Sequence, residues 1–385
     1  MKIGILTYHH VINEGAVLQA ISLSQAVKRI YPEAEVEIID YRPKSVEKAY
    51  FYRAIKPEYL LSVPHTLSRY VRFRKFINSS LMLSKLSLVT NDYKKTVKFI
   101  KEMNYDLIIV GSDEVWKIDR TNNMREFPNI YWLEDKEISS KRISFAASGN
   151  RTQYKRLTLS ETDFINKAIS KYERISVRDK HTYDMLSYVR DEKIKDLKII
   201  PDPTFMLDIE DVQVKKKLMR YGINCDERQS IAIMVQDSTL NRELCIQLKK
   251  KYHVVGMSFY SKNAHVNLCS ILDPMEWASA LKYFKACITD RFHGTIFCLK
   301  NRTPFVSIDS DHDYSGYESK VNSLLKSFNC LEYYVKAYQK KVCVKQVEKI
   351  MNDCITNINW EQIDVLLNSN NECCKSFLFD SVKNF

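Results

Sequence analysis

Short apolar runs rich in β-branched residues recur along the chain, and between most of them the apolar positions change to helical spacing. Lys2–Thr7 (KIGILT), Val36–Asp40 (VEIID), Tyr105–Val110 (YDLIIV), Arg142–Ala147 (RISFAA), Arg174–Val177 (RISV) and Leu197–Ile200 read as strands. A nearly continuous apolar run such as YDLIIV is typical of a strand covered on both faces, as in a parallel sheet. Val17, Leu18, Ile21, Leu23, Ala26 and Val27 predict a helix after the first strand. Ser160–Tyr172 predicts another, with Ser160 as its N-cap. Strand, crossover helix and strand together make a parallel, doubly wound unit.

Pro201-Asp202-Pro203 stiffens the chain into an extended turn, and a domain boundary is expected there. The same alternation then begins again: Ser230–Gln236 as strand, Leu240–Tyr252 as helix, His253–Phe259 as strand. Asp273-Pro274 caps a further helix, and ACIT (286–289) and PFVSI (304–308) are the next two strands. The expected architecture is α/β: one doubly wound domain over 1–205, a second over 206–340, facing each other across a cleft, and a helical segment over 341–385. After Glu318 the pattern is read as helical. Within the first domain, 51–98 reads as a helical, strongly basic insertion, with Arg69, Arg72, Arg74 and Lys75 clustered and only Glu58 and Asp92 as acids. Such a run is most often a solvated face; the alternative is a contact with an anionic membrane surface or acidic polymer.

Composition narrows the classes. The 385 residues are 45% hydrophobic and 28% charged, the make-up of a folded globular chain of about two domains. Lys and Arg number 59 against 47 Asp and Glu, a net charge of +12, which favours anionic partners without choosing among them. Because no nucleic-acid module accompanies the charge, nucleic acid is not an expected partner. No run is long enough to cross a bilayer and no signal peptide is recognised, so a cytoplasmic chain is expected, with the inner face of the membrane as its one candidate surface. All ten cysteines lie at or after Cys225, without CxxC spacing, so neither a disulfide framework nor a metal site is expected.

Candidate chemistry sits at predicted strand ends, where open α/β sheets bind ligands. Arg291 and His293 follow ACIT at the start of a helix near Thr295. Helix-end N–H groups, a planar guanidinium and a group titrating near neutrality suit a phosphate or carboxylate. A structural ion pair and a buried histidine are the plainer reading. Gly111, Ser112, Asp113 and Glu114 follow YDLIIV, a good place for a general acid or base, although Asp113 can equally cap a following helix. Asn13, Glu14 and Gly15 fall in the first crossover loop. Arg178 beside Asp179 is either a surface pair worth little or a second anion clamp. With eight glycines and no GxGxxG spacing, no conventional dinucleotide site is expected.

Six stretches in series, TYHHVINEGAVLQA with IIDYRP, DLIIVGSDEVW, KRISFAASGN, ISVRDK, IPDPTFML and ITDRFHGTIFCLKNRTPFV, resemble the polysaccharide pyruvyl transferase family. The resemblance implies two Rossmann-like domains in a glycosyltransferase-B-like arrangement. It also implies transfer of pyruvate from phosphoenolpyruvate to two sugar hydroxyls as a ketal, with no cofactor beyond that donor and a glycan or lipid-linked saccharide as acceptor. Arg291 and His293 match the family's Arg-x-His positions, associated with the donor; Asp113 matches its Gly-Ser-Asp segment and Arg178 its Ser-Val-Arg segment. The roles expected are His293 as acid, Asp113 or Glu114 as base, and Arg291, Arg178, Asn13, Gly15, Ser112 and Asp202 in substrate binding. The chain departs from the family by carrying His10, Val11 and Ile12 before Asn13, and Glu114 where Gln is common.

Overall fold

The structure is a computed structural model and describes residues 1–383 apart from 57–59, 121–126, 191–195, 211, 310–317 and 338–340. It separates into two compact units: Met1–Tyr52 with Arg74–Leu207 and Asn370–Phe385, and Arg53–Phe73 with Asp208–Ser369. The first carries β1 (Lys2–Leu6), α1 (Glu14–Ile30), β2 (Glu35–Arg42), most of α2 (Lys44–Ile55), the second half of α3 (Val63–Ser80), β3 (Leu83–Val89), α4 (Tyr93–Met103), β4 (Leu107–Val110), β5 (Lys141–Ala147), α5 (Leu159–Ile169), β6 (Arg174–Val177), α6 (Lys180–Val189) and β7 (Lys198–Ile199). Its seven strands order as β3-β2-β1-β4-β5-β6-β7, all parallel.

The second unit holds α7 (Lys215–Arg220), β8 (Ser230–Met234), α8 (Ser238–Leu248), β9 (His253–Gly256), β10 (Val266–Asn267), α9 (Pro274–Ala280), β11 (Ala286–Thr289), α10 (Phe292–Lys300), β12 (Phe305–Asp309), α11 (Lys320–Ser327), β13 (Tyr334–Lys336), α12 (Val344–Asn357) and the start of α13 (Trp360–Val382). Its six strands order as β10-β9-β8-β11-β12-β13, again all parallel. Each unit therefore runs outward in one direction from its first strand and then in the other. The direction reverses between β1 and β4 in the first unit and between β8 and β11 in the second. At such switch points adjacent crossovers leave the sheet on opposite faces, so the strand ends there stay open for polar groups.

The central strands follow their sequence. Leu107, Ile108, Ile109 and Val110 are all fully buried, as are Ala286, Cys287 and Ile288, and each large aliphatic side chain there contributes about 1.5–3 kcal/mol. Each unit has its own apolar cluster, the first around Val110, Trp116 and Trp132, the second around Ile233, Ile288 and Val306.

Several local expectations are corrected. The stretch 51–98 is not helical throughout, because LSKLSLV forms β3, an edge strand on β2. It forms there because its Leu and Val side chains need only a half-covered edge. The chain after Glu318 likewise includes a strand, β13. Asn13, Glu14 and Gly15 are not loop: Asn13 is the N-cap of α1, its side chain accepting the Gly15 N–H at 3.0 Å, and Glu14 and Gly15 are the buried first turn. Helix α5 is capped by Thr158 and not Ser160, because Thr158 and Glu161 form a reciprocal capping box.

Candidate active site

In the first unit the switch point brings together the ends of β1 and β4. Thr7 Oγ1 donates across it to the Ser112 carbonyl at 2.8 Å. The Gly111–Ser112 peptide is cis, and Gly111 has φ +112°; a Cβ there would strike the Phe145 carbonyl, so only glycine fits. Asp113 has φ +84° and pairs as an isolated parallel bridge with Ala147. No helix follows it before residue 121, so the capping reading of Asp113 is corrected: its Oδ1 accepts the N–H of Glu114 at 2.8 Å. Asp113 stays half-exposed, whereas Glu114 is buried, accepting from Asn150 Nδ2 at 2.6 Å with Lys117 at 3.8 Å. Ser112 is buried, and its hydroxyl has no hydrogen-bond partner among the described residues.

Arg178, at the end of β6, is not in a surface pair with Asp179. Its guanidinium is buried and reaches Asp202 at 3.1 Å, while Asp179 caps α6 through the Thr182 N–H and accepts from Ser148 Oγ at 2.5 Å. Asp202 also accepts from Gln19 Nε2 of α1 at 2.5 Å and from Thr204 N and Oγ1. Burial opposes the charge of Arg178, but the carboxylates of Asp202, Asp113, Asp179 and Glu114 outweigh it and push its pKa up. Arg178 and Asp202 are thus joined in one compensated network spanning α1, β6 and the turn at Pro203.

Sequence reasoning passed over the histidines before α1. His9 Nε2 lies 2.9 Å from Asp40, which also accepts from Arg42 Nε at 2.6 Å. Burial disfavours the ionised carboxyl, yet hydrogen bonds from His9 and Arg42 hold Asp40 below the usual carboxylate range. His10 is fully buried with Glu47 at 3.9 Å, and burial together with the positive charges of His9, Arg74 and Arg42 pushes its pKa well down. Beside them lies a small cavity of about 40 Å³ lined by Tyr8, Tyr41, Tyr93, Tyr131, Asn91 and Asn129. In sequence its tyrosines and asparagines are scattered, so no local spacing marks it.

In the second unit the switch point joins the ends of β8 and β11. Asp290 Oδ2 accepts the Gln236 N–H at 2.6 Å, and its other oxygen has no hydrogen-bond partner among the described residues. Burial pushes the Asp290 carboxyl up to about 6 against the help of that N–H and of Arg291. Helix α10 begins at Phe292, three residues earlier than expected, with Arg291 at its N-cap and no side chain capping it. His293 therefore stands in its first turn, half-buried. The Arg291 guanidinium lies 5.3 Å from the Phe259 ring centroid, and no carboxylate is within ion-pair distance of it among the described residues. A cation so left, at a helix N-terminus, is poised for an anion. Asp290 is the residue that sequence reasoning missed here; its position just after a buried strand, with no cap to make, was the available signal.

Among the described residues no cluster of histidine, cysteine or carboxylate side chains is suited to a metal, and all ten cysteines are free thiols.

The model of the polysaccharide pyruvyl transferase family matches residues 13–312 of the chain. Among solved structures, the chain is similar to the UDP-GlcNAc 2-epimerase of Neisseria meningitidis bound to UDP-GlcNAc, with TM-score 0.58, 8% identity and 100% of each chain covered. It is also similar to the UDP-GlcNAc 2-epimerase of Methanocaldococcus jannaschii, with TM-score 0.55, 9% identity and 98% of each chain covered. The glycotransferase of kitacinnamycin gives TM-score 0.52 at 10% identity, over 100% of this chain and 98% of that one. At such identities the likeness shows the fold, two parallel-sheet α/β units of the glycosyltransferase-B type with helices at the C-terminus. No curated protein sequence is significantly similar to the chain.

Proposed function

The chain belongs to the polysaccharide pyruvyl transferase family, and on that premise we propose that it transfers pyruvate from phosphoenolpyruvate to two hydroxyls of a saccharide in cell-surface glycan biosynthesis. One hydroxyl adds to the enol carbon as the methylene is protonated to methyl. The second hydroxyl then displaces phosphate from the same carbon, closing the ketal. Of the two hydroxyl protons released, one is balanced by the new methyl C–H and the other leaves with phosphate.

The observation that carries this reading is Arg291, left without an ion-pair partner among the described residues at the N-terminus of α10. The donor's phosphate and carboxylate both need such a group. His293 and Asp290 are the proton donors assigned to the same corner, Asp290 because a carboxyl near 6 carries a proton for a useful fraction of the time near neutrality. In the first unit Asp113 is assigned the base role in preference to Glu114, which is already held by Asn150 and Lys117. The glycan or lipid-linked saccharide acceptor is assigned to the first unit, where the charges around the switch point are already compensated.

The test is to supply the purified protein with phosphoenolpyruvate and glycans of the producing cell. Released phosphate and saccharide gaining the mass of one pyruvyl ketal should rise together. Release of nucleotide from a nucleotide sugar, with phosphoenolpyruvate untouched, would replace this reading by glycosyl transfer.

A further inference from the structure

The stretch 51–98 reads as a solvated basic face or, alternatively, as a contact for an anionic membrane surface or acidic polymer, and helix α3 spends part of that charge inside the protein. Two of its arginines are engaged inside the protein: Arg72 Nε donates to the Ser270 carbonyl at 3.0 Å, and Arg74 pairs with Glu47 at 2.6 Å. His65 and Ser68 also hold Ser270, at 3.1 and 3.4 Å, and Thr66 Oγ1 donates to the Ala54 carbonyl at 2.7 Å. The outward side carries Pro64, Leu67 and Val71 at helical spacing, preceded by Leu60 and Leu61. Leu60 is 87% exposed, Leu61 72% and Val71 58%, and Ile55 at the end of α2 is exposed as well.

Single exposed apolar side chains need no explanation, but a run of five between residues 55 and 71 does. Arg53 and Lys56 stand exposed at one end of it, and Lys75 is exposed one turn beyond Val71 on the same helix. Glu58, one of the two acids counted in the wider window, lies outside the described residues. An apolar stripe edged by cations is complementary to one kind of surface, a bilayer leaflet with anionic headgroups. Leucines enter the headgroup–acyl boundary, and lysine and arginine stay at the phosphates.

We propose that Leu60, Leu61, Leu67 and Val71 dock this protein on an anionic membrane. This inference goes beyond the transfer reaction and does not depend on it, since it rests on exposure and charge alone. No helix among the described residues is long and apolar enough to cross a membrane, so the contact is peripheral.

The experiment is co-sedimentation of the full chain with vesicles of phosphatidylglycerol and phosphatidylcholine, and with vesicles of phosphatidylcholine alone. Binding is expected to the anionic vesicles only, and to weaken as salt rises. The double substitution Leu60→Ser with Leu61→Ser should lower it by about tenfold or more, with the thermal midpoint unchanged because both side chains are already in water. Arg53→Gln with Lys56→Gln should cost a further few-fold and flatten the salt dependence. Equal binding to neutral vesicles, no binding, or a serine variant that binds as the native chain does would overturn the proposal. So would a concentration-dependent dimer abolished by the serine substitutions, which would make the stripe an interface between two copies.

Discussion

The two switch points are built on one plan and hold opposite electrostatic states. In each, a hydrogen bond crosses from the first strand of the unit to the strand on the other side, Thr7 to Ser112 in one and Gln236 to Asp290 in the other. Around the first, charge is compensated: Arg178 has Asp202, Glu114 has Lys117 and Asn150, and Asp40 has Arg42 and His9. Around the second, Arg291 has an aromatic face and no ion pair among the described residues, and its neighbour Asp290 is held partly neutral by burial. A compensated corner is preorganised for neutral hydroxyl groups; an uncompensated one is waiting for an anion. The same topology thus holds two electrostatic states, and the difference lies in which charges find partners inside the protein.

Stability gives the largest contrast. Arg178→Met leaves Asp202 buried without its cation and should cost about 3–5 kcal/mol by chemical denaturation. Arg291→Met loses only a cation–π contact and should cost under about 1 kcal/mol. Equal losses would mean that Arg291 is structural after all.

In activity the order reverses. Arg291→Met should lower kcat/KM for phosphoenolpyruvate by about a hundredfold or more, mainly through KM, as expected for a lost charge-assisted clamp of about 3 kcal/mol. A variant with unchanged KM would remove the donor from this corner.

The pH response distinguishes the corners next. The folded chain holds the Asp290 proton more tightly than the unfolded chain, with a pKa of about 6 against 3.8. Its contribution to stability is therefore lost as pH rises through that window, by roughly 3 kcal/mol. Asp290→Asn should recover it above pH 6 and leave stability near pH 4 unchanged. His10 behaves oppositely. Its native pKa lies below 6.5, so the unfolded chain takes up the proton first, and stability is lost as pH falls below 6.5. His10→Gln should remove that acid sensitivity. Hydrogen exchange of β4 and β11 as pH is varied reads the two units separately.

The smallest expected effect is a control outside both corners. Thr158→Ala removes the cap of α5 and should cost about 1 kcal/mol with kcat/KM unchanged.

Much of this was legible beforehand because it is local. Continuous β-branched runs can be satisfied only as buried parallel strands, and Asp273-Pro274 caps α9 as its residues require, with Glu276 completing the box. Arg291 and His293 were found at a strand end because that position follows from the strand itself. The Arg178–Asp179 pairing offered as one reading fails for the opposite reason: Asp179 is the neighbour in sequence, whereas the partner in space is 24 residues away. The basic helix misled likewise, since Arg72 and Arg74 count as surface charge until Ser270 and Glu47 are seen beneath them.

Periodicity, caps and strand-end motifs determined by themselves two doubly wound units and the residues at their strand ends, because those signals act over a few residues. Only the tertiary structure decided which charges are spent and which are free. Compensation depends on groups brought together from strands and helices far apart in the chain, and burial then pushes the Asp290 carboxyl up and the His10 imidazole down.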